Sequence, residues 1–169
     1  YWNICLNYGE DNFLKKCKEI GIDGLIISDL PYPENISFVK KCRNSGVSFI
    51  QLVAPTTSKE RISEINEYAD EMLYYISMLG VTGSALKNSP QDIQKKYKEI
   101  KKICSNKAIV VGFGITKDVI KHFKNDTMGL VIGSQICTTI ENSIKNGQNS
   151  DAIVASTKLY KSLLNELEK

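Results

Sequence analysis

Short apolar, β-branched-rich runs that break at glycine or a polar turn, each leading into an amphipathic helical pattern, predict an α/β fold on parallel strands. About five such βα units follow one another in the 169 residues, and their short connections predict right-handed crossovers. Five units suit an open flavodoxin-like sheet or part of a barrel, and spacing does not choose between them. Glycine-rich turns do, because they recur at the carboxyl ends of the last two strands, in Val111-Gly112-Phe113-Gly114 and Ile132-Gly133-Ser134. A dinucleotide-binding sheet would carry its glycine fingerprint on the first βα turn, and no Gly-x-Gly-x-x-Gly occurs here. The predicted fold is therefore a TIM (β/α)8 barrel, with about five C-terminal βα units represented. Residues 1–169 read as a single domain, the C-terminal portion of such a barrel.

The elements follow in order. Tyr1-Trp2-Asn3-Ile4-Cys5-Leu6 reads as the exit from a strand or the loop after it. A helix then places Phe13, Leu14, Cys17 and Ile20 on one face, with Gly21 where a C-cap glycine belongs. Gly24–Ile27 reads as a buried strand ending at Ser28-Asp29-Leu30-Pro31. Pro33 and Glu34 mark the next helix start, since proline lacks the amide that an interior position needs. That helix carries Ile36, Val39 and Cys42 and ends near Gly46. Ser48–Val53 is the next strand, and Thr57 with Glu60 forms a capping box for a helix holding Ile62 and Ile65 inward.

Met72–Ser77 is a further strand. The segment from Met78 to Asn88 is long, irregular and rich in glycine and small polar residues, as functional loops are. Ser89-Pro90 gives an N-cap and first helical position for a helix through about Ile103. Strand 108–112 follows, then a short helix capped by Thr116 and bearing Val119, Ile120 and Phe123. Strand 129–132 leads to a helix from Ser134 to about Lys145. After a polar break at 147–150, the last helix has Ile153, Leu159, Leu163, Leu164 and Leu167 as its apolar set.

Composition excludes several classes. Hydrophobic content of 42% and charged content of 24% are those of a chain able to bury a core. A net charge of +3, with dispersed lysines and no interleaved aromatics, argues against nucleic acid. No apolar run approaches membrane-spanning length, and no signal-peptide pattern opens the chain. Five scattered cysteines without a Cys-x-x-Cys pair argue against a disulfide framework or zinc site and for a reducing compartment. The expectation is a cytoplasmic protein, or one of a plastid-like compartment in a eukaryote. The chain begins at Tyr1 without an initiating Met, consistent with a piece of a longer product.

Chemistry concentrates at the two glycine turns. Glycines let a backbone approach a ligand closely, and the amides that open a helix form an anion site. Two such loops after the last strands of a barrel match the phosphate cup of that fold, so Gly112, Gly114, Gly133 and Ser134 point to a phosphate-bearing small substrate. Either turn alone is equally a tight βα connection. Gly83, in the long loop, would add a third amide lobe. Tyr74 and Tyr75 face opposite ways along their strand, so one lines the interior; a core tyrosine with a satisfied hydroxyl is the alternative. Asp29 is either a general base at a strand end or an Asx-type cap. His122 reads as a mid-helix surface residue, which leaves no Ser/His/Asp set, and no cluster has metal-ligand spacing. No apparent strand offers an interior lysine for a Schiff base.

Four motifs, in order and at compatible spacing, carry a resemblance. They are Gly21-Ile22-Asp23-Gly24 with Asp29-Leu30-Pro31; Leu52-Val53-Ala54-Pro55-Thr56-Thr57 with Arg61-Ile62; Tyr74-Tyr75-Ile76-Ser77 with Gly80-Val81-Thr82-Gly83; and Val111-Gly112-Phe113-Gly114-Ile115 with Gly133-Ser134. Along nearly its whole length the chain resembles the tryptophan synthase alpha subunit family. The resemblance implies a (β/α)8 lyase that cleaves indole-3-glycerol phosphate to indole and glyceraldehyde 3-phosphate in tryptophan biosynthesis. It implies no cofactor in this chain, and a beta subunit carrying pyridoxal phosphate as partner in an α2β2-type complex.

By motif match, Gly83, Phe113, Gly114, Gly133 and Ser134 hold the substrate phosphate, and Tyr74 sits beside the indole-glycerol portion. Thr82 belongs to a closing loop and meets a catalytic carboxylate, while Asn3 and Pro31 fall at the partner interface. The family's catalytic Glu and Asp lie on early strands and are expected before Tyr1, and Asp29 matches a different position. Met78 replaces the family's usual arginine. If residues 1–169 were the whole polypeptide, no catalysis is expected. Two other readings remain: a non-catalytic, ligand-gated activator of a beta subunit, and another phosphate-binding TIM-barrel enzyme of histidine, tryptophan or thiamine biosynthesis.

Overall fold

The computed structural model describes residues 1–77, 89–123, 127–145 and 151–168. The chain divides into two compact units, one of Tyr1–Tyr75 with Glu99–Ile109 and one of Ile76–Lys98 with Val110–Lys169.

The first unit opens with helices α1 (Trp2–Tyr8) and α2 (Glu10–Glu19), then strand β1 (Gly24–Leu25) and helix α3 (Ile36–Asn44). Strands β2 (Ser48–Phe49) and β3 (Gln51–Val53), helix α4 (Lys59–Tyr68) and strand β4 (Met72–Ile76) follow. β1 pairs in parallel with β2, Gly24 opposite Ser48; β3 pairs in parallel with β4, Leu52 opposite Tyr74. The Ala108 amide bonds the Glu71 carbonyl at 2.9 Å, setting the start of β5 beside β4. One apolar core gathers Leu14 and Cys17 of α2, Phe38, Val39 and Cys42 of α3, and Phe49 of β2.

Four expectations are revised here. Trp2–Tyr8 is a helix, not a strand exit. Its first amide donates to Asp29 Oδ1 at 2.8 Å, and Trp2 packs edge-on against Phe38 at 4.7 Å. Tertiary partners 27 and 36 residues away thus override a segment without a helix signal of its own. The strand expected over Gly24–Ile27 stops at Leu25, and Ile26 is 52% exposed. The run 48–53 is two strands in two sheets, broken at Ile50. At α4 the cap shifts by one residue: Ser58 accepts the Arg61 amide at 3.2 Å, while Thr57 Oγ1 accepts from the Ala54 amide at 3.0 Å.

Helix α5 (Pro90–Ile103) and strand β5 (Ala108–Gly112) run from one unit into the other. Ser89 caps α5 reciprocally: Asp92 N donates to Ser89 Oγ, and Ser89 N to Asp92 Oδ2. The second unit adds α6 (Lys117–Ile120), β6 (Gly129–Val131), α7 (Ser134–Lys145) and α8 (Ala152–Glu168). β5 pairs in parallel with β6, Val110 opposite Gly129 and Gly112 opposite Val131. Hydrogen-bonded neighbours therefore run β3-β4-β5 in the first unit and β4-β5-β6 in the second.

Ile93, Tyr97, Val111, Val119, Ile120 and Phe123 are buried in the second unit, with Tyr97 and Phe123 in edge contact at 5.3 Å. α8 lies against α7 and α6. Of its expected apolar set, Leu163 is buried but Ile153 is 79% exposed. His122 follows the short α6 in a turn, half-buried, and its carbonyl accepts from Gln94 Nε2. Among the described residues no helix is long and apolar enough to cross a membrane, and no group of His, Cys, Asp and Glu could hold a metal.

Candidate functional site

Strands β5 and β6 run side by side in parallel, so the turns leaving them emerge at the same end of the sheet. The paired residues Gly112 and Val131 close the ladder, and adjacent strands lie about 5 Å apart there. One tetrahedral dianion, accepting hydrogen bonds of about 2.8 Å on either side, spans such a gap.

The first turn is held in an unusual backbone. Phe113 has φ 69° and Gly114 φ 64°, consecutive residues in the region that side chains avoid. Behind it, Ser77 is fully buried at the end of β4. Its amide and its Oγ both donate to the Gly112 carbonyl at 2.9 Å, and its Oγ also contacts the Phe113 carbonyl. Thr116 then caps α6 through the Val119 amide. Ser77 stands in a motif noted in the sequence, yet nothing there marks its link to residues 35 and 36 positions on.

The second turn needs no unusual backbone. Gly133 is exposed, and a Cβ built on it meets nothing within 4 Å. Its carbonyl accepts the Ile136 and Cys137 amides at 2.9 and 3.1 Å, so Gly133 opens α7, and the amides of Ser134 and Gln135 precede the helix's first internal bonds. With 12 residues, α7 has a well-developed dipole, positive at this end.

Tyr74 belongs to the first unit and is half-buried in β4, whereas Tyr75 is buried at 1% exposure. The strand alternates buried and half-buried residues, so the two tyrosines face opposite sides. Burial raises the hydroxyl pKa of both, with Glu99 adding to the effect at Tyr75. Asn3 on α1 and Pro31 after β1 are both exposed, and the Trp2–Asp29 bond ties their two segments together. Asp29 therefore caps a helix start in this arrangement. The segment after Leu30 is pinned as well: Asn35 Nδ2 donates to Gln51 Oε1 at 2.9 Å, and Arg61 donates to the Tyr32 carbonyl with its guanidinium over the Tyr32 ring. Met78, Thr82 and Gly83 lie outside the described residues. Cys5, Cys17, Cys42 and Cys104 are buried free thiols and Cys137 is exposed.

A model of the tryptophan synthase alpha chain family matches residues 1–166. The tryptophan synthase alpha chain of Pelagibacter ubique (strain HTCC1062) is 52% identical over 149 residues, 88% of this chain and 56% of that protein. That of Petrotoga mobilis is 37% identical over 167 residues, 95% of this chain and 62% of that protein. Among solved structures, tryptophan synthase subunit alpha of Legionella pneumophila superposes with a TM-score of 0.83 at 28% identity, covering 99% of this chain and 60% of that one. A chain from a structure concerned with the tryptophan synthase α2β2 complex of Pyrococcus furiosus gives 0.77 at 29% identity, covering 99% and 64%. The chain thus spans between about half and three fifths of the curated relatives it matches. Its parallel α/β architecture is that of part of a (β/α)8 barrel.

Proposed function

The chain belongs to the tryptophan synthase alpha chain family, and on that premise we propose that it supplies the phosphate-binding end of a lyase that cleaves indole-3-glycerol phosphate to indole and glyceraldehyde 3-phosphate. The observation that carries this reading is the emergence of two amide-bearing turns at one end of the β5–β6 pair, with open space beside Gly133 that leaves room for a ligand. Phe113, Gly114, Gly133 and Ser134 hold the phosphate dianion through backbone amides, helped by the positive end of α7. Tyr74, Thr82 and Gly83 are assigned to substrate binding as well.

The retro-aldol step breaks the bond between indole C3 and the glycerol chain. It needs a proton delivered to the indole carbon and a base at the glycerol hydroxyl. In this reading those groups are the family's Glu and Asp, outside residues 1–169, and the residues here orient the substrate by its phosphate. Orientation of this kind lowers the barrier by fixing the reacting bond before proton transfer. We further propose that residues 1–169 form one domain of the barrel, and that Asn3 and Pro31 meet a beta subunit that would hold pyridoxal phosphate and condense the indole with serine to give tryptophan. A cytoplasmic location fits five thiols without a disulfide.

The test is made on the full chain with its partner. Indole release from indole-3-glycerol phosphate, with competition by indole-propanol phosphate, is the expected result. Binding of a phosphoribosyl ligand in its place would assign the site to a different barrel enzyme. Binding without indole release, with beta-subunit activity still rising, would make the chain an activator.

A further inference from the structure

We infer that Ser77 is the positioning residue of the phosphate loop: its buried amide and hydroxyl hold the carbonyls of Gly112 and Phe113 and thereby aim the Gly114 amide at the bound phosphate. The inference rests on the phosphate reading of this site and adds a residue to which that reading gives no role.

The backbone angles of Phe113 lie between the Gly112 carbonyl and the Phe113 carbonyl, so fixing both oxygens fixes both angles. Ser77 does this from one place. Its amide donates to the Gly112 carbonyl at 2.9 Å, its Oγ reaches the same oxygen at 2.9 Å, and its Oγ contacts the Phe113 carbonyl. A hydroxyl has one proton, so the two carbonyls share it in a three-centre bond.

A left-handed conformation at a residue with a Cβ persists only where its surroundings over-determine it, and Phe113 at φ 69° is in that position. In a trans peptide the N–H points opposite to the carbonyl of the same unit, and the described cis bond is Tyr32–Pro33. With the Phe113 carbonyl turned toward Ser77, the Gly114 amide is turned away from it. Ser77 is 0% exposed, so water offers no substitute for the lost hydroxyl.

The experiment compares wild type, Ser77→Ala and Ser77→Thr in the full chain, with sn-glycerol 3-phosphate as the phosphate probe and indole as the phosphate-free one. Ser77→Ala is expected to raise the Kd for glycerol 3-phosphate by about tenfold, the scale of one lost hydrogen bond, with indole affinity unchanged. Ser77→Thr, which keeps the hydroxyl, is expected to recover most of the loss. Binding of glycerol 3-phosphate by Ser77→Ala within about twofold of wild type would overturn the inference, as would an equal loss for both probes. A folded wild type that takes no glycerol 3-phosphate would overturn the phosphate reading itself and this inference with it. Should Ser77→Ala not fold, Ser77→Cys, close in size but a weak donor, is held to the same outcomes.

Discussion

Phe113 holds a backbone angle of 69° at a cost of about 1–2 kcal/mol relative to right-handed backbone, and this strain sets up a substitution series. Phe113→Gly removes the strain but adds about 0.5–1 kcal/mol of unfolded-state entropy, so its urea midpoint should stay near wild type apart from the lost side-chain contacts. Phe113→Val keeps the Cβ and stiffens it, and should be less stable than Phe113→Gly by about 1–2 kcal/mol. Equal midpoints for the two would contradict a left-handed turn. Gly133 poses the opposite case. Open space surrounds its absent Cβ, and serine is a favoured residue where a helix opens. Gly133→Ser should therefore leave thermal stability unchanged or slightly raised while weakening glycerol 3-phosphate binding, a pairing that calorimetry on one sample checks. Both glycine turns were legible in the sequence because β-branched runs ending in glycine are a local signal. The role of Ser77 was not, since its partners lie more than 30 residues away.

Helix α4 shows how a one-residue shift at an element's start becomes measurable. Thr57 and Glu60 have the capping-box spacing, yet Ser58 bonds the Arg61 amide while Thr57 bonds the Ala54 amide. Ser58→Ala should destabilise the protein by about 1 kcal/mol and speed hydrogen exchange at the Arg61 amide. Thr57→Ala should speed exchange at Ala54 and leave Arg61 unchanged; faster exchange at the Glu60 amide instead would restore the cap expected from spacing. Neighbouring serine and threonine compete for the same donors, so pattern alone does not place the cap. α1 was missed for a different reason. Its first amide bonds Asp29 and its Trp2 ring packs on Phe38, and neither partner lies within a sequence window. By contrast α5 was legible at its opening, because Ser89, Pro90 and Asp92 make a local cap.

Taken as a whole chain, the α/β class followed from period and punctuation, which depend on neighbours in sequence. The split of 48–53 between two sheets did not, since it depends on which strands those residues meet. The cysteines give the molecule a pH response. Burial pushes the Cys42 thiol from 9.0 up to about 12 and the Cys104 thiol up to about 11. Above about pH 9 the unfolded chain therefore releases protons that the folded chain retains, and stability falls as pH rises toward these values. The loss by about pH 10 should be on the order of 1 kcal/mol for each of the two thiols, read as a drop in urea midpoint between pH 8 and 10. Replacing Cys42 and Cys104 by alanine should flatten that drop, and an undiminished slope would assign it to other groups.

The single bond from the Trp2 amide to Asp29 has a consequence for assembly. A docking protein that covers Asn3 and Pro31 meets two stretches of polypeptide already fastened together, and gives up no ordering entropy in gathering them. Asp29→Ala should therefore slow or weaken that association while leaving the phosphate end untouched, so the fastening would be felt in how readily a complex forms rather than in what it binds.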